Sequence, residues 1–224
     1  MKQYFITSTD TDAGKTFTTC YFLKYFKQAH CTTLGLKPVA CGGACSEACS
    51  EKGTHNQLHN DDALLLQQAS SITADYDVIN PITLSSACSP HIAARHDHIA
   101  LTAKKIADAC QPGLQKMADY TFIEGAGGWL VPINQQETMR DVAVLLQYPV
   151  ILVVGIRLGC LNHALLTQQA IIESGLPFAG WVANCVDPHH AFYSDDIATL
   201  LDKLNAPLLL TRAYGGEVTF MNVF

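Results

Sequence analysis

Thr9-Asp10-Thr11-Asp12-Ala13-Gly14-Lys15-Thr16 stands directly behind the apolar run Tyr4-Phe5-Ile6. Read as strand, tight loop and helix start, a loop closing on Gly-Lys-Thr gathers backbone N–H groups, one ammonium and one hydroxyl around a phosphate chain and its Mg²⁺. The expected ligand is a nucleoside triphosphate. The standard spacing asks for glycine where Thr9 stands, and the residue before it is Ser8. The tail of the motif fits, and its head departs from the pattern.

Working outward, short apolar segments at residues 4–7, 33–39, 120–123, 150–154 and 180–183, with a weaker one at 207–210, read as buried parallel strands. Helical patterns at 15–28, 61–69, 101–117, 140–147, 161–174 and 191–203 alternate with them. Such alternation predicts an α/β fold, a P-loop NTPase-like parallel sheet with helices on both faces, formed by residues 1–224 as a single domain. Ligands of such sheets bind past the carboxyl ends of the strands. The loop after the first strand, residues 37–43 and residues 124–128 all fall there. Residues 42–60 are polar and glycine-rich and read as a mobile loop beside the site.

The chain has 224 residues, 49% of them hydrophobic and 15% charged, which are globular values. A formal charge of −6 leaves no basic surplus to displace counterions, so a nucleic-acid partner is not expected. The longest apolar run, residues 150–156, is far too short to span a bilayer, and the N-terminus enters a strand at once without a secretory signal. No membrane partner is expected, and the chain reads as cytoplasmic. Nine cysteines without a Cys-x-x-Cys pair indicate neither a disulfide framework nor a zinc ribbon. Cys45, Cys49, His55 and His59 fit no common zinc spacing.

Lys15 and Thr16 are the first candidates, for β- and γ-phosphate contact and for Mg²⁺ ligation. Glu124 ends a strand before Gly125-Ala126-Gly127-Gly128, where a P-loop protein holds a second group on Mg²⁺; a turn-capping carboxylate is the alternative. Lys37, held extended by Pro38, could stabilise charge on a transferring phosphoryl group or be an ordinary solvated strand-end lysine. Asp61 and Asp62 open a helix, where capping alone accounts for carboxylates. Ser89-Pro90-His91, His96 and His98 lack the Gly-x-Ser-x-Gly elbow of a hydrolase.

The phosphate loop, Lys37-Pro38-Val39, Asp62-Ala63-Leu64, Asn80-Pro81, Ser89-Pro90-His91, Glu124-Gly125-Ala126-Gly127-Gly128-Trp129, Leu158-Gly159-Cys160-Leu161-Asn162-His163-Ala164 and Gly180-Trp181-Val182-Ala183-Asn184 together resemble dethiobiotin synthetase. The resemblance spans residues 3–210 and explains the motif's head, since the family's phosphate loop is one residue longer than the standard. It implies an ATP-dependent cyclo-ligase of biotin synthesis that joins CO₂ (supplied as bicarbonate) to 7,8-diaminononanoate, forming the cyclic urea of dethiobiotin with release of ADP and phosphate. Under it, Lys15 and Lys37 neutralise phosphate charge, and Lys37 is the active-site lysine. Thr16, Asp62 and Glu124 hold Mg²⁺. Asp12, Ala13, Gly14, Phe17, Gly125, Ala126, Gly127, Asn184 and Cys185 complete the nucleotide site, with Asn184 reading adenine. Thr11 and Cys41 face the diamine. The family is a homodimer, so Leu158, Asn162 and Tyr193 come from the partner to bind the substrate carboxylate.

The chain departs from the family's pattern at several points. Ser8 replaces a glycine, so the loop's first turn is expected to form without free access to positive φ. Cys41 replaces a serine and Cys185 an aspartate, and the 42–60 loop is longer. A Gly-Glu-Ile-Pro segment that helps hold the base appears here as Leu210-Thr211-Arg212-Ala213-Tyr214-Gly215, which implies looser nucleotide selectivity. Two other classes compete. A non-catalytic P-loop partition or regulatory ATPase carries a further lysine near the loop's start, and residues 8–13 contain none. An amidoligase needs a second domain to supply ammonia.

Overall fold

Residues Val150–Ile156 have no polar face to offer water, so a strand made from them must be covered on both sides. In the computed structural model, which describes residues 1–45 and 58–221, they form a strand buried along its whole length, in the middle of a seven-stranded sheet.

The elements begin with β1 (Lys2–Ser8), α1 (Lys15–Gln28), β2 (Thr33–Leu36), β3 (Val39–Cys41), β4 (Ala44–Cys45), β5 (Leu58–His59) and α2 (Asp61–Ala69). Next come α3 (Tyr76–Ile79), β6 (Ile82–Leu84), α4 (Pro90–His96), α5 (Ala103–Ala109), α6 (Gln111–Leu114) and β7 (Tyr120–Glu124). The order closes with α7 (Met139–Leu146), β8 (Val150–Ile156), α8 (Cys160–Glu173), β9 (Phe178–Cys185), α9 (Tyr193–Lys203), β10 (Leu208–Arg212) and β11 (Val218–Phe220).

The main sheet runs β11-β10-β9-β8-β1-β7-β2, parallel throughout except for the antiparallel pair β10–β11. Successive strand residues point to opposite faces, and β1 shows what each face meets. Tyr4 stacks on Phe122 at 5.8 Å, and Phe122 on Phe22 of α1 at 5.4 Å. Phe5 meets Trp129 edge-on at 6.2 Å on the other face, the side of Met139 and α7. Layers therefore cover both faces, as expected for an α/β fold. The chain leaves β1 for β2 on one side and returns from β7 across β1 to β8, so the strand order reverses between β1 and β8. That is where a crevice opens past the strand ends. The phosphate loop is tied there: Thr9 N donates to Val153 O at 3.0 Å, and Gly155 N to Thr9 Oγ1 at 3.3 Å.

Helices expected at 15–28 and 61–69 have those bounds as α1 and α2. The segment expected as one strand over 33–39 is two. Pro38 has no N–H to continue the ladder, so β2 ends at Leu36, and β3 leaves the main sheet to pair in parallel with β6. The helix expected over 101–117 breaks at Cys110 into α5 and α6, with Pro112 in the first turn of α6. A third, two-stranded sheet, β4 with β5, lies near the two ends of the expected 42–60 loop; the residues between these strands, 46–57, lie outside the described ones. No helix among the described residues is long and apolar enough to cross a membrane.

Candidate active site

The turn from β1 into α1 places its conformational demand on Asp12 and Gly14, which adopt φ of 57° and 94°. Gly14 is required twice over. Its left-handed φ disfavours a side chain, and a Cβ there would come within 2.1 Å of Asn184 Nδ2. Ser8 ends β1 in an ordinary strand conformation without positive φ, so the difficulty expected there does not arise. Its hydroxyl organises the loop instead. Ser8 Oγ lies 2.7 Å from Asp10 O and 3.2 Å from Gly127 O, and it accepts from Lys15 Nζ at 2.9 Å. Burial pushes the Lys15 ammonium down to about 8, against the opposing pull of Glu124.

Asn184, at the buried end of β9, donates from Nδ2 to Ala13 O at 2.8 Å and accepts at Oδ1 from Arg212 Nη1 at 3.3 Å. The amide expected to read adenine is thus also the strut that holds the phosphate loop. Gly125 N donates to Ile6 O at 3.0 Å, and Gly127 turns with φ 63°, bringing the segment after β7 against the same loop.

Below the loop lies a cluster of opposite charges. Glu124 Oε1 accepts from Thr16 Oγ1 at 2.8 Å and from Lys37 Nζ at 2.6 Å, and Lys37 Nζ also reaches Asp62 Oδ2 at 2.7 Å. Lys37 is therefore not a solvated strand-end lysine: it is 5% exposed, and Glu124 beside it is fully buried. Burial pulls against the Lys37 charge, but Glu124 and Asp62 outweigh it and hold the ammonium above its usual range. The same ammonium, working against partial burial, holds Asp62 below the usual carboxylate range. Asp62 is free for this contact because Asn60 caps α2, its Oδ1 accepting from Ala63 N at 3.4 Å. Glu124 likewise binds side chains instead of capping a turn.

Lys37 owes its place to the break after β2. Its N–H donates to Ile79 O at 2.8 Å, and its carbonyl accepts from the Asn80 amide at 2.6 Å. Asn80, Ser8 and Arg212 are the site residues that sequence reasoning did not assign; the Asn80-Pro81 pair behind a short apolar turn was the available signal for the first.

A cleft of about 690 Å³ opens over these groups, lined by Thr11, Asp12, Lys15, Thr16 and Phe17 from the loop and by Lys37, Cys41, Asp62, Ser89, Ala126 and Gly127 opposite. Burial pushes the Cys41 thiol up to about 11, with Cys88 adding to the rise, so it faces the cleft as a neutral thiol. Cys185 is buried under the site with Sγ 3.3 Å from Asp187 O. Leu158, Asn162 and Tyr193 do not line this cleft, and Leu158 is 90% exposed. Ser89 Oγ lies 3.1 Å from His91 Nδ1 at the start of α4. Among the described residues no three His, Cys, Asp or Glu side chains cluster as a metal site; Cys49 and His55 lie outside those residues, and His59 packs on Tyr76.

A Mg²⁺ ion fits the residues present. Glu124 Oε2 is buried without a hydrogen-bond partner among the described residues, an expensive state for a carboxylate oxygen. With the Thr16 hydroxyl and Asp62 it makes an all-oxygen set suited to a hard divalent cation.

A family model described as "AAA domain" matches residues 2–212. The ATP-dependent dethiobiotin synthetase BioD of Cellvibrio japonicus is 47% identical over 208 residues, covering 93% of this chain and 87% of the relative. That of Pseudoalteromonas translucida is 41% identical over 224 residues, 100% of this chain and 95% of the relative. Among solved structures, the signal recognition particle receptor FtsY from Elizabethkingia anophelis in complex with GDP superposes with a TM-score of 0.60 at 13% identity, covering 99% of this chain and 60% of that one. The septum site-determining protein MinD from Pyrococcus horikoshii gives 0.56 at 14% identity, covering 94% and 80%. These last two likenesses concern the fold alone.

Proposed function

The chain belongs to the dethiobiotin synthetase family and is an ATP-dependent ligase of biotin biosynthesis, and from that premise we propose how its residues divide the reaction. One observation supports the division above the others: Lys37 is buried between Glu124 and Asp62, in the wall of the cleft that Lys15 and Thr16 also line. A triphosphate laid on the loop would bring its γ-phosphoryl group to these two ammonium groups.

In this reading 7,8-diaminononanoate takes up CO₂ as a carbamate on one amine. A carbamate oxygen attacks the γ-phosphorus while the bond to the ADP oxygen breaks. The second amine then attacks the carbamoyl carbon, closing the urea ring and releasing phosphate. Lys15 and Lys37 offset the negative charge of the transferred group and the charge that gathers on the bridging oxygen as its bond to the γ-phosphorus breaks, so positioning and electrostatics supply the catalysis. Thr16, Asp62 and Glu124 would hold Mg²⁺, which when bound neutralises phosphate charge. Thr11 and Cys41 border the diamine, and Phe17 and Asn184 stand on the nucleobase side. Leu158, Asn162 and Tyr193 act from the partner of a homodimer.

Incubation with MgATP, bicarbonate and 7,8-diaminononanoate is expected to yield dethiobiotin by mass spectrometry with one ADP per product. ATP binding without dethiobiotin would reject this function.

A further inference from the structure

Ser89 stands at the start of α4, where a serine hydroxyl ordinarily accepts from a backbone N–H of the first turn. Here it makes no such capping bond. The Ser89 carbonyl closes the turn instead, accepting from Ile92 N at 2.9 Å and Ala93 N at 3.1 Å. That leaves the hydroxyl to His91: Ser89 lines the cleft, and its Oγ lies 3.1 Å from His91 Nδ1. The His91 N–H is anchored on Pro132 O at 3.3 Å, and its half-buried ring has no other hydrogen-bond partner among the described residues. The same segment is joined to the strand that carries Cys41, since Gly42 N donates to Ser86 O at 3.1 Å. Ser89 therefore borders the cleft together with Cys41 and Cys88.

Closing the urea ring requires a proton to leave. The second amine attacks with its lone pair, and its nitrogen must shed a proton as the bond to phosphate breaks. Most polar groups at the cleft are unsuited to take it. Lys15 and Lys37 are ammonium groups, Asp62 and Glu124 are ion-paired with Lys37, and burial keeps Cys41 a neutral thiol. Asp12 belongs to the phosphate loop, on the opposite wall. An imidazole takes up and gives back a proton near neutral pH, and Ser89 with His91 behind it is the one hydroxyl–imidazole pair at the cleft among the described residues.

We propose that Ser89 and His91 form a proton relay for ring closure, with the Ser89 hydroxyl at the attacking amine and His91 receiving the proton behind it. As the amine nitrogen bonds to the carbamoyl carbon, its proton passes to Ser89 Oγ while the Ser89 O–H proton passes to His91 Nδ1. The carbon–oxygen bond to phosphate breaks, and phosphate departs with the electron pair. The step uses the imidazole tautomer with hydrogen on Nε2, and the imidazolium then returns a proton to water from its partly exposed ring. The inference rests on the function proposed above and adds the group that takes the proton.

The test is acid-quenched single-turnover and steady-state kinetics of the full-length protein, of His91→Asn, His91→Ala and Ser89→Ala, and of the double variant of Ser89→Ala with His91→Asn. ADP and dethiobiotin are measured together, and thermal melts confirm that each variant folds. Asparagine keeps a polar partner for Ser89 Oγ but takes up no proton, so a merely structural contact survives it. His91→Asn should slow dethiobiotin formation by about 100-fold, the lower end of what a positioned acid–base group supplies, with little change in KM for ATP or the diamine. In the first turnover ADP should appear ahead of dethiobiotin, because phosphoryl transfer does not use the relay. The double variant should lose no more than either single one, as members of one unit do. Added imidazole should restore part of the activity of His91→Ala.

Wild-type rates in His91→Asn would overturn the relay and mean that the departing phosphate takes the proton itself. ADP and dethiobiotin slowed equally, or losses that add in the double variant, would overturn it as well. Such results would leave the function intact so long as the wild type makes dethiobiotin from ATP. A wild type that binds MgATP and makes none would instead remove the proposed function on which this inference stands.

Discussion

At the scale of single residues, Lys37 is the ammonium between two carboxylates, one of them fully buried. Its removal leaves Glu124 charged, buried and uncompensated, and breaking a buried pair from one side costs about 3 kcal/mol or more. Lys37→Met should therefore lower the melting temperature by roughly 5–10 °C in EDTA. A divalent cation can replace the lost ammonium, so millimolar Mg²⁺ should restore much of the loss in the variant and do little for the wild type. Nucleotide-free Mn²⁺ binding, followed by electron paramagnetic resonance, should likewise strengthen in Lys37→Met. A melting temperature indifferent to Mg²⁺ would show that Glu124 and Asp62 do not form a cation site. Ser8 gives a second test. It sits in a strand conformation, and its hydroxyl bonds Lys15 and the loop, so restoring the family's glycine gains no backbone freedom that the turn uses. Ser8→Gly should destabilise by about 1 kcal/mol in a thermal melt; a rise in melting temperature would mean that the turn is strained by the serine.

At the scale of elements, the departure of β3 from the main sheet is what delivers Lys37. Pro38 ends the β2 ladder, and Asn80 clamps the buried backbone left without a strand partner. Its amide donates to Lys37 O at 2.6 Å and Ile82 O at 3.3 Å, and its oxygen accepts from Tyr76 Oη and Thr83 Oγ1, each at 2.8 Å. Asn80→Asp keeps the shape and the acceptor but puts a carboxylate oxygen where Lys37 O needs a donor. It should lower kcat by about tenfold or more while changing the ATP KM little, because a displaced lysine loses near-attack alignment and the phosphate loop is untouched. Steady-state kinetics that show a matched rise in KM and no fall in kcat would place Asn80 outside the positioning of Lys37. This break was the least legible part of the fold. Residues 34–39 are apolar around Lys37, and a short apolar run does not show where one strand stops and another sheet begins. The break before Pro112 was lost for the same reason, inside a long helical pattern. By contrast α1 and α2 were read to the residue, since each starts at a loop whose chemistry is local: Gly14 before Lys15, Asn60 before Asp61. Lys15, Thr16, Lys37, Asp62 and Glu124 were all legible as candidates. What sequence could not supply was the pairing of Lys37 with Glu124 across 87 residues of chain, and that pairing separates a buried lysine from a solvated one.

At the scale of the whole molecule, the cleft of one chain contains the phosphate loop, the carboxylates and Lys37, whereas Leu158 and Asn162 lie exposed elsewhere on the same chain and Tyr193 is half-buried against its core. If a second copy completes the site, its parts are separable by mutation and recoverable by mixing. On the division of roles proposed above, a Lys37→Ala chain lacks the lysine assigned to phosphoryl transfer in its own cleft but still offers a normal Asn162 to its partner. An Asn162→Asp chain keeps its cleft and presents a carboxylate that repels the carboxylate of the substrate. Each homodimer should be nearly inactive with 7,8-diaminononanoate, and Asn162→Asp should still bind MgADP like the wild type. After dissociation and reassociation of equal amounts, half the dimers are mixed, and each mixed dimer has one site with both groups intact and one with both defective. Dethiobiotin formation should then recover to about a quarter of the wild-type rate, as expected of a two-fold dimer whose sites each draw on both chains. Light scattering on the same samples establishes that they are dimeric. A rate no higher than the average of the two separate variants would mean that each chain acts alone and that the 158–162 segment has no part in the site across the dimer.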